Sequence, residues 1–136
     1  MKIIQVTGRS NTGKTTFIKS LIPVLKTKGR VAVIKHLADH DFLLEKGKDT
    51  TGFFDAGAEV SAGIDEHKSV VALQNTSLDA MLALLNGQGM DFVVIEGFKD
   101  RSFKKIVIGD LTVEGCLLRN PTIDDVVASI GRFDTY

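Results

Sequence analysis

VTGRSNTGKTTFIKSLI, residues 6–22, sets a turn of two glycines, a lysine and paired threonines between a strand pattern and a helix pattern. The strand is KIIQVT. The helix is read over 13–28, with Phe17, Ile18, Leu21, Ile22 and Leu25 at helical spacing and a break or kink expected at Pro23. Gly8-Arg9-Ser10-Asn11-Thr12-Gly13-Lys14-Thr15 matches G-x-x-x-x-G-K-[ST] at every position, and Thr16 follows it. Phosphates are anionic and strongly hydrated, so a site for them must replace water with many fixed donors. Backbone N–H groups of a tight loop and of a helix N-terminus supply those donors. Lys14 adds a mobile cation and Thr15 a hydroxyl suited to Mg²⁺. Chance produces such a match roughly once in a few hundred chains of this size.

The rest of the chain gives the turn its context. RVAVIKH reads as a second strand, and its continuous VAVI predicts burial on both faces. A polar loop from residue 37 leads into a helix ending near residue 58. EVSAGI and SVVALQ, joined by the charged DEHK, read as an antiparallel hairpin. SLDAMLALLNG reads as a helix capped by Ser77 and stopped by Gly87. DFVVIEG is a buried strand, KKIVIGD and TVEGCLL are later strands, and PTIDDVVASIGRF closes the chain as a helix with Pro121 near its start. Strands alternating with helices point to a three-layer α/β domain with a mainly parallel sheet and the hairpin added at one edge, and the glycine-lysine motif makes the P-loop NTPase class the expected one. With 136 residues, 43% hydrophobic and 25% charged, one domain over 1–136 is expected.

Net charge is zero, so no overall field draws the chain to nucleic acid or a membrane. The charge is uneven, however: residues 1–48 carry 10 Lys and Arg against 3 Asp and Glu, and the remainder carries 7 against 14. That imbalance reads either as solvated faces or as an electropositive lip over an anionic ligand. One cysteine, Cys116 in the apolar CLL, allows no internal disulfide and is expected in the core. No apolar run reaches membrane-spanning length and the N-terminus lacks a signal peptide's apolar region, so a cytoplasmic protein is expected.

A nucleotide site also needs a carboxylate. Glu96 ends the strand DFVVIEG. Asp91 begins it and should lie about 17 Å away, so Glu96 is the candidate for the Mg²⁺ shell or the attacking water. His36, Asp39, His40 and Asp41 cluster after the second strand. They read as a metal site, as a loop serving Mg²⁺ and its water, or as a polar surface turn. GKDT at 47–50 lacks the full motif and reads as a helix start able to offer Lys48 and Asp49 to a second anion.

In this order, GRSNTGKTT, VIKH followed by DHD, GKDT, AGAE, and VVIEGFK followed by KKIV resemble the molybdopterin-guanine dinucleotide biosynthesis protein B family over roughly residues 2–109. The resemblance implies a GTP-binding adaptor of molybdenum-cofactor maturation, using Mg²⁺, hydrolysing GTP slowly and forming a homodimer. It implies molybdopterin, or the protein that couples GMP to it, as partner. Carried over residue by residue, Gly8, Gly13, Lys14, Thr15 and Thr16 would hold phosphates and Mg²⁺, and Asp41 and Glu96 would serve the metal and its water. Lys35, His36, Lys48, Asp49, Gly97, Phe98 and Lys99 would lie where a pterin phosphate or partner approaches. The chain has no N-K-x-D or T-K-x-D motif, and Asn120 or Asp124 are the nearest candidates to face a base. A small-molecule kinase is the alternative reading. It would need an arginine-rich lid, and the five arginines here form no such cluster.

Overall fold

The computed structural model describes residues 1–37, 41–75 and 77–136. The chain divides into two compact units, Met1–His36 with Leu82–Tyr136, and Leu37–Met81.

The first unit is built on a sheet of order β2-β5-β1-β6-β7, from β1 (Lys2–Thr7), β2 (Val31–Lys35), β5 (Phe92–Glu96), β6 (Lys105–Val107) and β7 (Cys116–Arg119), with all these neighbours parallel. Alternation sorts its side chains onto two faces. Ile4, Val6, Val94 and Ile106 join Ile18, Leu21 and Leu25 of α1 (Lys14–Lys26) and Val126 of α4 (Ile123–Ala128) in one core cluster. Ile3, Val93 and Ile95, one residue out of phase with these, are buried as well.

The helix α1 runs on through Pro23 without a break. An interior proline costs about 3 kcal/mol. Burying a leucine gains about 1.5–3 kcal/mol, and the fully buried Leu21 and Leu25 flank the proline, so packing outweighs local propensity. The strand β2 departs from expectation. Among the described residues it is an edge strand pairing with β5 alone, and none of its five residues is fully buried. Continuous apolar sequence reports strand propensity but not the number of covered faces. Cys116 is likewise exposed rather than in the core, because β7 forms the other edge and begins at a register shift against β6.

On β1, the short strand β6 covers Gln5–Thr7 and leaves the strand's start open. The uncovered start of β1 is taken by β8 (Asp134–Thr135), antiparallel at Lys2 and Ile3. That closing strand follows α4 and a single 3₁₀ turn over Ile130–Arg132.

In the second unit, α2 (Asp49–Asp55) precedes β3 (Val60–Ile64) and β4 (Ser69–Leu73), which pair antiparallel from Val60↔Leu73 to Ile64↔Ser69. The hairpin is as expected, but its placement is not. It forms a two-stranded sheet of its own rather than an edge of the parallel sheet. A tight charged turn sets pairing and register within a hairpin and carries no information about which sheet its outer edges meet. Asp65 fixes that turn, accepting the N–H groups of His67 and Lys68 at 2.7 and 2.8 Å and the Lys68 ammonium at 2.9 Å. The helix α3 (Leu78–Gly87) begins in this unit with the Ala80 N–H donating to Ser77 Oγ at 3.3 Å, the expected cap.

Candidate functional site

Parallel pairing brings the carboxyl ends of three strands together. Glu96 is in register with Val6 of β1 and with Lys35 of β2. The loop from Gly8 to Gly13 leaves β1 at that same end and turns into α1. Ligands of open parallel sheets gather at such an end.

The loop is shaped by close contacts. At Gly8 a Cβ would lie 2.3 Å from the Ile108 carbonyl oxygen, so no side chain fits. Asn11 has φ 60° and Gly13 has φ 89°, reversing the chain into the helix. Thr12 Oγ1 and Lys14 Nζ both donate to the Arg9 carbonyl, at 2.9 and 2.5 Å. No side chain caps α1, and its first turn carries no acidic residue. The N–H groups there, with the helix dipole behind them, suit an anion.

Ser10, Asn11, Thr12, Gly13, Lys14, Thr15 and Thr16 line a cleft of about 410 Å³ together with Lys35 and Glu96. Thr15 Oγ1 lies 3.2 and 3.3 Å from the two Glu96 carboxylate oxygens and donates to that group. Lys35 Nζ is 3.6 Å from Glu96 Oε1, and the Glu96 side chain is only 12% exposed. An ammonium group, a hydroxyl and a shielded carboxylate thus share one cleft. Asp91, at the other end of β5, instead accepts the Arg30 N–H at 2.7 Å and ties two strand starts together. Arg9 of the loop pairs with Asp110 at 3.1 Å.

Beyond Glu96 the chain turns sharply through Gly97 (φ 95°) and Phe98 (φ 50°). His36 donates its backbone N–H to the Glu96 carbonyl at 2.9 Å, and its ring stacks on Phe98 with centroids 4.2 Å apart. Lys35, His36, Gly97 and Phe98 are therefore brought together beside the cleft, with the exposed Lys99 next in the chain. Asp41, Lys48 and Asp49 belong to the second unit. There Asp41 is exposed, Lys48 pairs with Glu45 at 3.4 Å, and Asp49 opens α2. Asp39 and His40, half of the expected His/Asp cluster, lie outside the described residues. Among the described residues no group of three metal-ligating side chains occurs. Asn120 is committed elsewhere: its Oδ1 accepts the Gly109 N–H at 2.6 Å and its Nδ2 donates to the Gly109 carbonyl at 3.4 Å. Asp124 is exposed in the first turn of α4.

Two buried polar residues beneath the turn escaped the sequence reading. Gln5 donates to the carbonyls of Gly97 and Phe98, and Lys105 to those of Arg101 and Phe103. Their signal was present in the sequence: an amide and an ammonium standing inside runs that otherwise read as buried strand.

A model of the family described as molybdopterin guanine dinucleotide synthesis protein B matches residues 3–130. A putative molybdopterin-guanine dinucleotide biosynthesis adapter protein of Methanocaldococcus jannaschii is 32% identical over 130 residues, covering 96% of this chain but 54% of its own length. The chain thus spans about half of that relative. The adapter protein of Haemophilus influenzae is 32% identical over 133 residues, covering 94% of this chain and 72% of its own. Among solved structures, the crystal structure of Bacillus subtilis MobB superposes with a TM-score of 0.68 at 26% identity, covering all of this chain and 76% of its own. A MobB homologue of Bacillus stearothermophilus, at 21% identity and a TM-score of 0.63, shares the fold. Among the described residues no helix is long and apolar enough to cross a membrane.

Proposed function

Because the chain belongs to the molybdopterin guanine dinucleotide synthesis protein B family, we propose that it is a cytoplasmic GTP-binding adaptor that assists the attachment of GMP to molybdopterin and hydrolyses GTP slowly with Mg²⁺. The observation that carries the nucleotide reading is the meeting of Thr15 and Glu96, 3.2 Å apart, in the cleft lined by residues 10–16. The loop amides and the α1 N-terminus bind the phosphates, and Lys14 leaves the Arg9 carbonyl to reach them.

The Thr15 hydroxyl and the Glu96 carboxylate are hard oxygen ligands that meet in the cleft, a set that fits Mg²⁺. When bound, the cation supplies charge neutralisation at the phosphate oxygens. Glu96 holds its place at a strand end and orients the water that attacks. Positioning and charge neutralisation suffice for slow turnover. Arg9 pairs with Asp110 at the surface and is not among the residues lining the cleft, so hydrolysis there proceeds without an arginine's charge. Roles for Asp41 toward Mg²⁺ and for Lys48 and Asp49 toward the pterin are proposed on the family resemblance alone.

The His36–Phe98 stack, with Lys35, Gly97 and Lys99, forms the face that a pterin phosphate or the guanylyltransferase partner meets. A homodimer is proposed through the outer face of the hairpin.

A competition titration of GTP against ATP, with and without Mg²⁺ and again with molybdopterin, tests this reading. The expected result is preferential, Mg²⁺-dependent GTP binding that is lost in Lys14→Ala. Glu96→Gln should retain GTP and lose most of the Mg²⁺ dependence. Equal affinity for the two nucleotides, or binding of neither, overturns the proposal.

A further inference from the structure

Gln5 and Lys105 are both almost completely buried in the middle of an apolar sheet. They are register partners on the adjacent strands β1 and β6, so their side chains leave the sheet on the same face. Burying an amide or an ammonium is costly unless hydrogen bonds replace the lost water. Here those bonds go to one place. Gln5 Nε2 donates to the carbonyls of Gly97 and Phe98 at 2.7 and 2.6 Å. Lys105 Nζ donates to the carbonyls of Arg101 and Phe103, at 2.5 and 2.9 Å. Together they hold both ends of the segment 97–103, which leaves the cleft directly after Glu96.

The two residues serve this segment and little else. Gln5 Oε1 is buried with no hydrogen-bond partner among the described residues, so the hydrogen bonds seen for this amide are its two donor bonds to Gly97 and Phe98. Burial pushes the Lys105 ammonium below the ordinary lysine range, against the opposing pull of Glu114 and Asp134. A leucine or methionine would fill either position without that cost. The segment, in turn, needs holding: Gly97 and Phe98 both have left-handed backbone, and for Phe98 that conformation is strained.

We propose that Gln5 and Lys105 are positioning residues, a paired clamp that fixes segment 97–103 and thereby holds the Glu96 carboxylate at Thr15 and the Phe98 ring on His36. The inference rests on the proposed nucleotide site for its functional consequence and on geometry alone for the clamp.

The variants Gln5→Met and Lys105→Met keep side-chain length and remove the donors. Two readouts separate the outcomes. Amide hydrogen exchange should quicken at 97–103 in either variant while residues 14–26 of α1 keep their protection. The Mg²⁺ concentration that half-saturates GTP binding should rise roughly tenfold in Gln5→Met, the factor about 1.4 kcal/mol corresponds to, while Mg²⁺-free nucleotide affinity stays unchanged. A merely structural role would lower the melting temperature and leave both the Mg²⁺ requirement and the local exchange pattern as in the wild type, which overturns the clamp. If one variant fails to fold, the other reports on its own end of the segment. If wild-type protein binds no nucleotide, the nucleotide reading fails, and the exchange at 97–103 still decides for or against the clamp.

Discussion

At the scale of single residues, backbone conformation and close approach set what each position tolerates. Gly97 has φ 95°, and a Cβ built there would lie 2.8 Å from His36 Cβ. Gly97→Ala therefore strains the backbone and pushes against the His36–Phe98 stack, at a cost of about 1–3 kcal/mol. Gly52 offers the opposite case. It sits inside α2 with nothing near its missing Cβ, so Gly52→Ala should stabilise by about 0.5–1 kcal/mol. Denaturant melts of the two variants check the opposed signs, and a shift of both in one direction would contradict the account. Cys116 gives a third check. Exposed on β7, its thiol should react with a chromogenic reagent in native buffer as readily as in denaturant. Protection until unfolding would place it back in the core, where its apolar neighbours Leu117 and Leu118 had suggested it belonged. Neighbours in sequence could not reveal that β7 is an edge strand.

At the scale of elements, periodicity and punctuation locate α1 to α4 and β1 to β7 among the described residues but not all their bounds: the closing helix stops at Ala128, and β7 begins at Cys116, four residues into TVEGCLL. Only β8 was missed, since two residues carry no period. Pro121 marks the start of α4 in the sequence, and TIDD, residues 122–125, forms a full capping box there. The Thr122 hydroxyl accepts the Asp125 N–H at 3.2 Å, and Asp125 Oδ2 accepts the Thr122 N–H at 2.8 Å. Thr122→Ala should cost about 1 kcal/mol in a denaturant melt. The Thr122 hydroxyl first, and its backbone N–H second, hold the Asp125 carboxyl below its ordinary value. A carboxyl lowered by folding contributes stability that is present above its unfolded pKa and lost as pH falls through the folded one. Melting temperatures taken from neutral pH down through the carboxylate range should therefore fall less steeply for Asp125→Asn than for wild type. Parallel curves would show that the box does not hold in solution.

At the scale of the whole molecule, the glycine loop and Glu96 were legible because a motif and a strand end suffice to bring them together. The fate of the hairpin was not, because its outer edges and faces answer to partners no local pattern names. In its own unit, Ser61, Gly63, Val70 and Ala72 turn toward α2, lining a cavity of about 60 Å³ with Leu44, Thr50 and Thr51. The other face carries Val60, Val71 and Ile64, which are 55%, 54% and 81% exposed. A two-stranded sheet is marginal alone, and its unpaired edges invite another strand. In the proposed homodimer, a twofold contact would set this apolar face against itself. Burying one valine is worth about 1.5–3 kcal/mol, and symmetry counts each position twice. Val71→Glu should therefore weaken the dimer roughly hundredfold or more, at about 1.4 kcal/mol per tenfold. Because Val71 already faces solvent in the single chain, the monomer should keep its melting temperature. Sedimentation equilibrium of wild type and variant reads this directly. A wild-type chain that stays monomeric at every accessible concentration, or a variant that dimerises as tightly, would leave this face without its partner and end the proposal.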